Sequence, residues 1–167
     1  KRLLEMFARL SPDGCTVFLT LTYPQQFPSP KRAKQHLRAF MKRLARLHPD
    51  APLSAVWRLE FQQRGAPHFH LVIFGMPFTG KELIQNMWGE IIGHDKPFTR
   101  IESVSSPRRL RGYVSKYVAK RADVPHGGFN TVPYLAAGLI DEETGEIRDS
   151  IGRSWGIFNA DELPWAE

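Results

Sequence analysis

Residues Trp57–Phe74, WRLEFQQRGAPHFHLVIF, constrain this chain more than any other stretch. Two strand-like runs, about Ser54–Gln62 and His68–Phe74, flank Gly65 and Pro67, so the segment reads as a hairpin. Side chains alternate between the faces of a strand, so His68 and His70 project on the same side. The turn brings Glu60 back toward them. Gln62 shares the face of Glu60 by the same alternation, as a substitute ligand or a supporting group. Two imidazoles and one carboxylate on a sheet face suit a divalent ion with open coordination positions. Such an ion can act as a Lewis acid on a phosphate.

The remainder of the chain decides whether a phosphate is a sensible substrate. The net charge is +6 over 167 residues, but the charge is unevenly spread. Through Lys120 there are 20 Lys and Arg against 8 Asp and Glu; from Arg121 onward there are 3 against 9. The first part suits a polyanion and the last part does not. The length fits one domain with a real core, spanning 1–167, with the motifs in about 16–120 and an acidic, loop-rich part in 121–167. Cys15 is the only cysteine, so no internal disulfide can form. No apolar run approaches the roughly 18 residues of a membrane span, and Lys1–Glu5 lacks the apolar core of a secretion signal. The start without Met, mid-pattern, suggests a fragment of a longer chain.

The element order follows from periodicity. Thr16–Tyr23 (TVFLTLTY) is β-branched and aromatic and reads as a strand. Lys31–His48 carries Leu37, Phe40, Met41, Leu44 and Leu47 at helical spacing. Its other face holds Lys31, Arg32, Lys34, Arg38, Lys42, Arg43 and Arg46, and is either solvated or turned to DNA. Thr79, with Glu82 three residues on, predicts an N-cap for a helix through about Ile92. Phe98–Val104 reads as a strand. Ser106-Pro107 predicts the start of a helix to about Lys120, and Ser154–Asn159 a last strand. The order β-α-β-β-α-β-α-β favours an α+β sandwich with helices packed on an antiparallel sheet.

A second constellation lies on the helix from Pro107. Tyr113 and Tyr117 are four apart and so share a face, and each has a lysine three residues on, Lys116 and Lys120. Leu110, Val114 and Val118 already supply the packing stripe, which leaves the tyrosines free to face elsewhere. The bland alternative is that both tyrosines pack on the sheet with hydroxyls at the rim. Six basic residues and no acid lie in Arg108–Arg121. A tyrosine beside a metal on a basic surface suggests nucleophilic attack on a phosphodiester. A lysine ammonium would favour the phenolate, and the metal would polarise the phosphoryl oxygens. Arg38, Lys42, Arg108, Arg109 and Arg111 are the candidate DNA-phosphate contacts.

Three segments together resemble the HUH endonuclease superfamily, specifically its rolling-circle replication initiators (Rep proteins). Phe18–Tyr23 is similar to the first motif, Pro67–Leu71 to the histidine–hydrophobic–histidine motif, and Tyr113–Lys116 to the tyrosine-x-x-lysine motif. Glu60, eight residues before His68, stands in the place of the third metal ligand. The resemblance covers about Thr16 to Lys120. It implies an RRM-like (ferredoxin-like) α+β sandwich with about five antiparallel strands. It implies a Mg²⁺- or Mn²⁺-dependent nickase and strand transferase on single-stranded DNA at a plasmid or phage origin. The implied intermediate is a covalent 5′-phosphotyrosine, with Tyr113, Tyr117, Lys116 and Lys120 as catalytic residues. The paired tyrosines resemble the phage gene A-type initiators. Cytoplasmic action in a prokaryotic host, with a host helicase as a further partner, follows from the same resemblance, since the chain has no Gly-x-x-x-x-Gly-Lys-Ser/Thr motif. Rival readings are a relaxase or single-strand transposase, a water-using nuclease with structural tyrosines, and a non-catalytic RRM-like binding module that stacks bases on Phe18, Phe61 and Phe69.

Overall fold

The computed structural model describes residues 9–12, 15–117, 143 and 153–165, with the backbone alone at 115–117. Strand β1 is Val17–Thr22, helix α1 Pro30–Leu47, β2 Ser54–Phe61 and β3 Pro67–Phe74. Helix α2 is Lys81–Ile92, β4 Thr99–Ser103, α3 Pro107–Tyr117 and β5 Trp155–Phe158. The fold is α+β: one five-stranded sheet of order β4-β1-β3-β2-β5, antiparallel throughout, with three helices packed on it. Among the described residues no helix is long and apolar enough to cross a membrane.

Alternation gives the sheet two unlike faces. On one, Leu19, Leu21, Ala55, Trp57, Leu59, Phe69, Leu71 and Ile73 are all buried against the apolar stripe of α1 and against Ile84 and Trp88 of α2. This is the main core. On the other, Phe18, Val56, Val72 and Phe74 are buried with Leu110 and Val114 of α3. That second cluster covers only part of its face. Phe18 and Phe69 are therefore buried, and Phe61 is half-buried against the main core. None of the three is an open stacking platform.

Local chemistry sets the element ends. Ser29 caps α1 through its Oγ, which accepts from Arg32 N, and Ser106 Oγ accepts from Arg109 N at 3.3 Å at the start of α3. The β2–β3 turn is closed by Gln62 N–H to Ala66 O at 2.9 Å and Gly65 N–H to Gln62 O at 2.8 Å. Gly65 has φ +83°, a left-handed conformation that glycine adopts without a Cβ clash. The predicted cap at Thr79 is not formed. Gly80 holds that position without a side-chain bond, because the Thr79 hydroxyl donates to Pro77 O and meets His48 Nε2 at 2.8 Å. Tertiary contact thus outcompetes the local cap. Val118, Lys120 and nearly all of the acidic stretch lie outside the described residues.

Candidate active site

The strand register builds a grid of side chains on the partly covered face. Thr22, His68 and Glu60 form one row across β1, β3 and β2. Arg100, Thr20, His70, Arg58 and Trp155 form the next row, across all five strands. A third row runs Glu102, Phe18, Val72, Val56 and Ile157. The first two rows are polar and lie beyond the apolar ground under α3. The third row supports that helix.

Glu60, His68 and His70 converge as the sequence predicts. His68 Nε2 and His70 Nε2 are 3.0 Å apart, and Glu60 Oε2 is 3.4 Å from the first and 3.2 Å from the second. Adjacent ligands of an octahedral ion with bonds near 2.1 Å stand about 3.0 Å apart. The three atoms therefore fit one triangular face of such an ion, with the remaining positions open to water or substrate. The three residues are close enough to hold a metal ion.

The neighbours fix these groups. Thr20 Oγ1 lies 3.2 Å from His70 Nδ1. With the Nδ1 proton given to that hydroxyl, the Nε2 lone pair points to the metal position. Arg58, buried on β2, places its Nε 3.6 Å from Glu60 Oε1. It keeps one carboxylate oxygen toward the guanidinium and the other toward the imidazoles. Sequence spacing by itself marks neither Arg58 nor Thr20. Arg58 does stand two residues before Glu60, so strand alternation already puts them on one face. Gln62, expected beside Glu60, lies past the end of β2, where its Oε1 accepts from Arg64 Nε at 2.9 Å. The turn takes it off the strand pattern, and Arg58 fills the supporting role instead.

Tyr113 joins the site through a ring. Phe18 stacks on His70 at 5.7 Å between centroids and on Tyr113 at 4.3 Å, on nearly parallel planes. The tyrosine is thus one aromatic layer from the metal ligands. Its hydroxyl donates to Glu102 Oε2 at 2.9 Å, and Glu102 Oε1 accepts from Arg100 at 2.8 Å. Partial burial, then the bond to and charge of Glu102, hold the phenol above the ordinary tyrosine range, against the opposing pull of Arg109 and Arg100. The bond to Arg100, then the bond to Tyr113, holds Glu102 below the ordinary carboxylate range. The lysine-favoured phenolate expected from sequence is not what surrounds Tyr113 among the described residues; a carboxylate is. Glu102 escapes a reading of the sequence because its place beside the site comes from the register between β4 and β1, which short-range spacing does not show. Tyr117 ends α3, and its side chain and those of Lys116 and Lys120 lie outside the described residues.

The basic residues divide between the two sides. Arg108, Arg109 and Arg111 are exposed on α3, the helix of the metal-bearing face. Arg38 and Lys42 lie on α1, which packs on the opposite face; Lys42 is exposed and Arg38 half-buried. The two sets do not form one surface.

The profile of the replication-associated protein (ORF2) family matches residues 16–122. The chain belongs to that family. The matched span takes in all three metal-site residues and Tyr113, from the start of β1 through α3. No curated protein and no solved structure matches the chain.

Proposed function

We propose that this replication-associated protein is a metal-dependent single-stranded DNA nickase and strand transferase that opens a replication origin for rolling-circle synthesis. The observation that carries the reading is the triangle of Glu60 Oε2, His68 Nε2 and His70 Nε2 on the face that Tyr113 shares through Phe18. Bound there, Mg²⁺ or Mn²⁺ would polarise the oxygens of a scissile phosphate.

The chain's own groups then have distinct tasks. Glu60, His68 and His70 set where the phosphate lies, with Arg58 and Thr20 holding them in place. Tyr113 Oη attacks phosphorus, and the bond from phosphorus to the 3′ oxygen breaks. The phenol gives up its proton, and the departing oxygen takes one to become a 3′-hydroxyl. The result is a 5′-phosphotyrosine, in which the ester keeps the energy needed to rejoin the strand. Attack of a 3′-hydroxyl on that ester reverses the step. Tyr117 is one helical turn from Tyr113, about 5.4 Å along the axis, and serves as a second nucleophile, with Lys116 and Lys120 beside the pair. Arg108, Arg109 and Arg111 contact the DNA backbone.

One observation favours the water-using nuclease instead: the Tyr113 hydroxyl is committed to Glu102. Covalent trapping separates the two. Labelled single-stranded origin DNA is incubated with protein and Mn²⁺, run on a denaturing gel, and the adducted peptide is read by mass spectrometry. An adduct on Tyr113 or Tyr117 is expected. Tyr113→Phe and Tyr117→Phe should each keep some single cleavage, and the double variant none. Cleavage without any adduct would establish the water-using reading, and loss of all adduct in Tyr113→Phe alone would make Tyr117 structural.

A further inference from the structure

The sheet carries a second polar feature, on the face away from the metal ligands. Between α1 and the edge strand β5 lies a cleft of about 450 Å³, lined by Lys31, Lys34, Arg38 and Arg153 over Trp57 and Phe158. Its size falls within the range of small-ligand sites, about 300–1,000 Å³. Among the described residues no carboxylate lines it. Its floor is closely built. A Cβ at Gly156 would stand 2.8 Å from Trp57 Nε1, so only glycine lets β5 lie against the indole. Lys34 Nζ donates to Arg153 O at 3.4 Å and ties α1 to the chain entering β5.

Four cations around aromatic side chains form the surface that single-stranded nucleic acid selects: charge for the phosphates and rings for the bases. Its position matters as much. Strand β5 neighbours β2, about 4.8 Å away, and Trp155 of β5 pairs with Arg58, the residue that holds Glu60. A strand leaving the metal face crosses only β5 before it turns the sheet edge and enters the cleft. We propose that this cleft is a second binding site, which holds the flank of the same single-stranded DNA whose scissile phosphate lies at the metal face. The inference rests on the nickase reading for the identity of the strand, and it explains why Arg38 stands across the sheet from the metal.

The test is equilibrium binding by fluorescence anisotropy, with a chelator present so that no strand is cut. Two oligonucleotides share the nick site; one ends there and one carries a flank long enough to round the edge. Lys31→Glu with Arg153→Glu should weaken binding of the longer strand on the order of tenfold and flatten its salt dependence by about 0.7 for each phosphate no longer neutralised. The short strand should bind as before. Both positions are exposed, and circular dichroism checks that the fold is kept. A 4-thiothymidine in the flank should crosslink to a peptide containing Trp57 or Arg153–Phe158. Equal weakening for both oligonucleotides, or none for either, would overturn the inference. So would displacement of the longer strand by thymidine monophosphate or inorganic phosphate as readily as by unlabelled DNA, which would make the cleft a site for a free phosphate. Failure of the nickase reading shows separately, as absence of the covalent adduct.

Discussion

Phe69 and His70 are neighbours on one strand and belong to different environments. Phe69 faces α1 and α2, is fully buried, and stands among side chains that are apolar without interruption. His70 faces the other way, between Thr20, Glu60 and His68, where the helical cover stops. One face is closed by two helices and supplies a continuous apolar core. The other is closed by α3 over Phe18, Val56, Val72 and Phe74 only, and its remaining rows carry the chemistry. Confining the polar groups to the uncovered rows leaves the main core free of buried charge, which is costly to desolvate. Stability and activity are thereby placed on opposite sides of the same strands and should be separable by mutation.

The largest separation is expected at the metal ligands. His68→Ala with His70→Ala should abolish DNA cleavage while leaving the thermal midpoint close to that of the parent. Undiminished metal-dependent cleavage by this variant would break the assignment. Phe69→Ala is the converse. Removing a buried phenyl costs about 3–5 kcal/mol, and chemical denaturation should show it, while protein that remains folded still forms adduct.

A smaller effect tests α3. Replacing Arg108, Arg109 and Arg111 together with glutamine should weaken single-stranded DNA binding and reduce its salt slope by about 0.7 for each phosphate no longer neutralised. A slope equal to the parent's would remove these residues from the interface. The smallest effect sharpens the link between Tyr113 and Glu102. The carboxylate raises the phenol pKa, so Glu102→Gln lowers it toward the ordinary range. If phenolate is the attacking form, the rise of single-turnover cleavage with pH should move to lower pH, and the rate below that rise should increase. An unmoved profile would make the pairing structural.

Much of the site was legible because strand periodicity is short-ranged and strict. A two-residue spacing places His68 beside His70, and a turn with Gly65 at positive φ returns Glu60 to them. The same rule puts Arg58 on that face, but a lone arginine in a strand has no distinguishing spacing to mark it as part of a site. Gln62 shows where periodicity ends: the pattern continues through it, but the strand stops at Phe61 and Arg64 captures its side chain. Thr79 shows the same for a helix start, where His48 displaces the local cap.

The sequence by itself determined the alternation of the strands, the apolar stripe of α1, the metal-ligand trio and the order of elements, because each depends on neighbours a few residues apart. Tertiary structure alone decided which helix covers which face. It set Arg38 and Lys42 across the sheet from the metal, brought Phe18 between His70 and Tyr113, and joined Tyr113 to Glu102 and Glu102 to Arg100. Those outcomes depend on strand order and on the side from which each helix packs. They are set by the burial of whole apolar surfaces over long sequence separations, which no local spacing encodes.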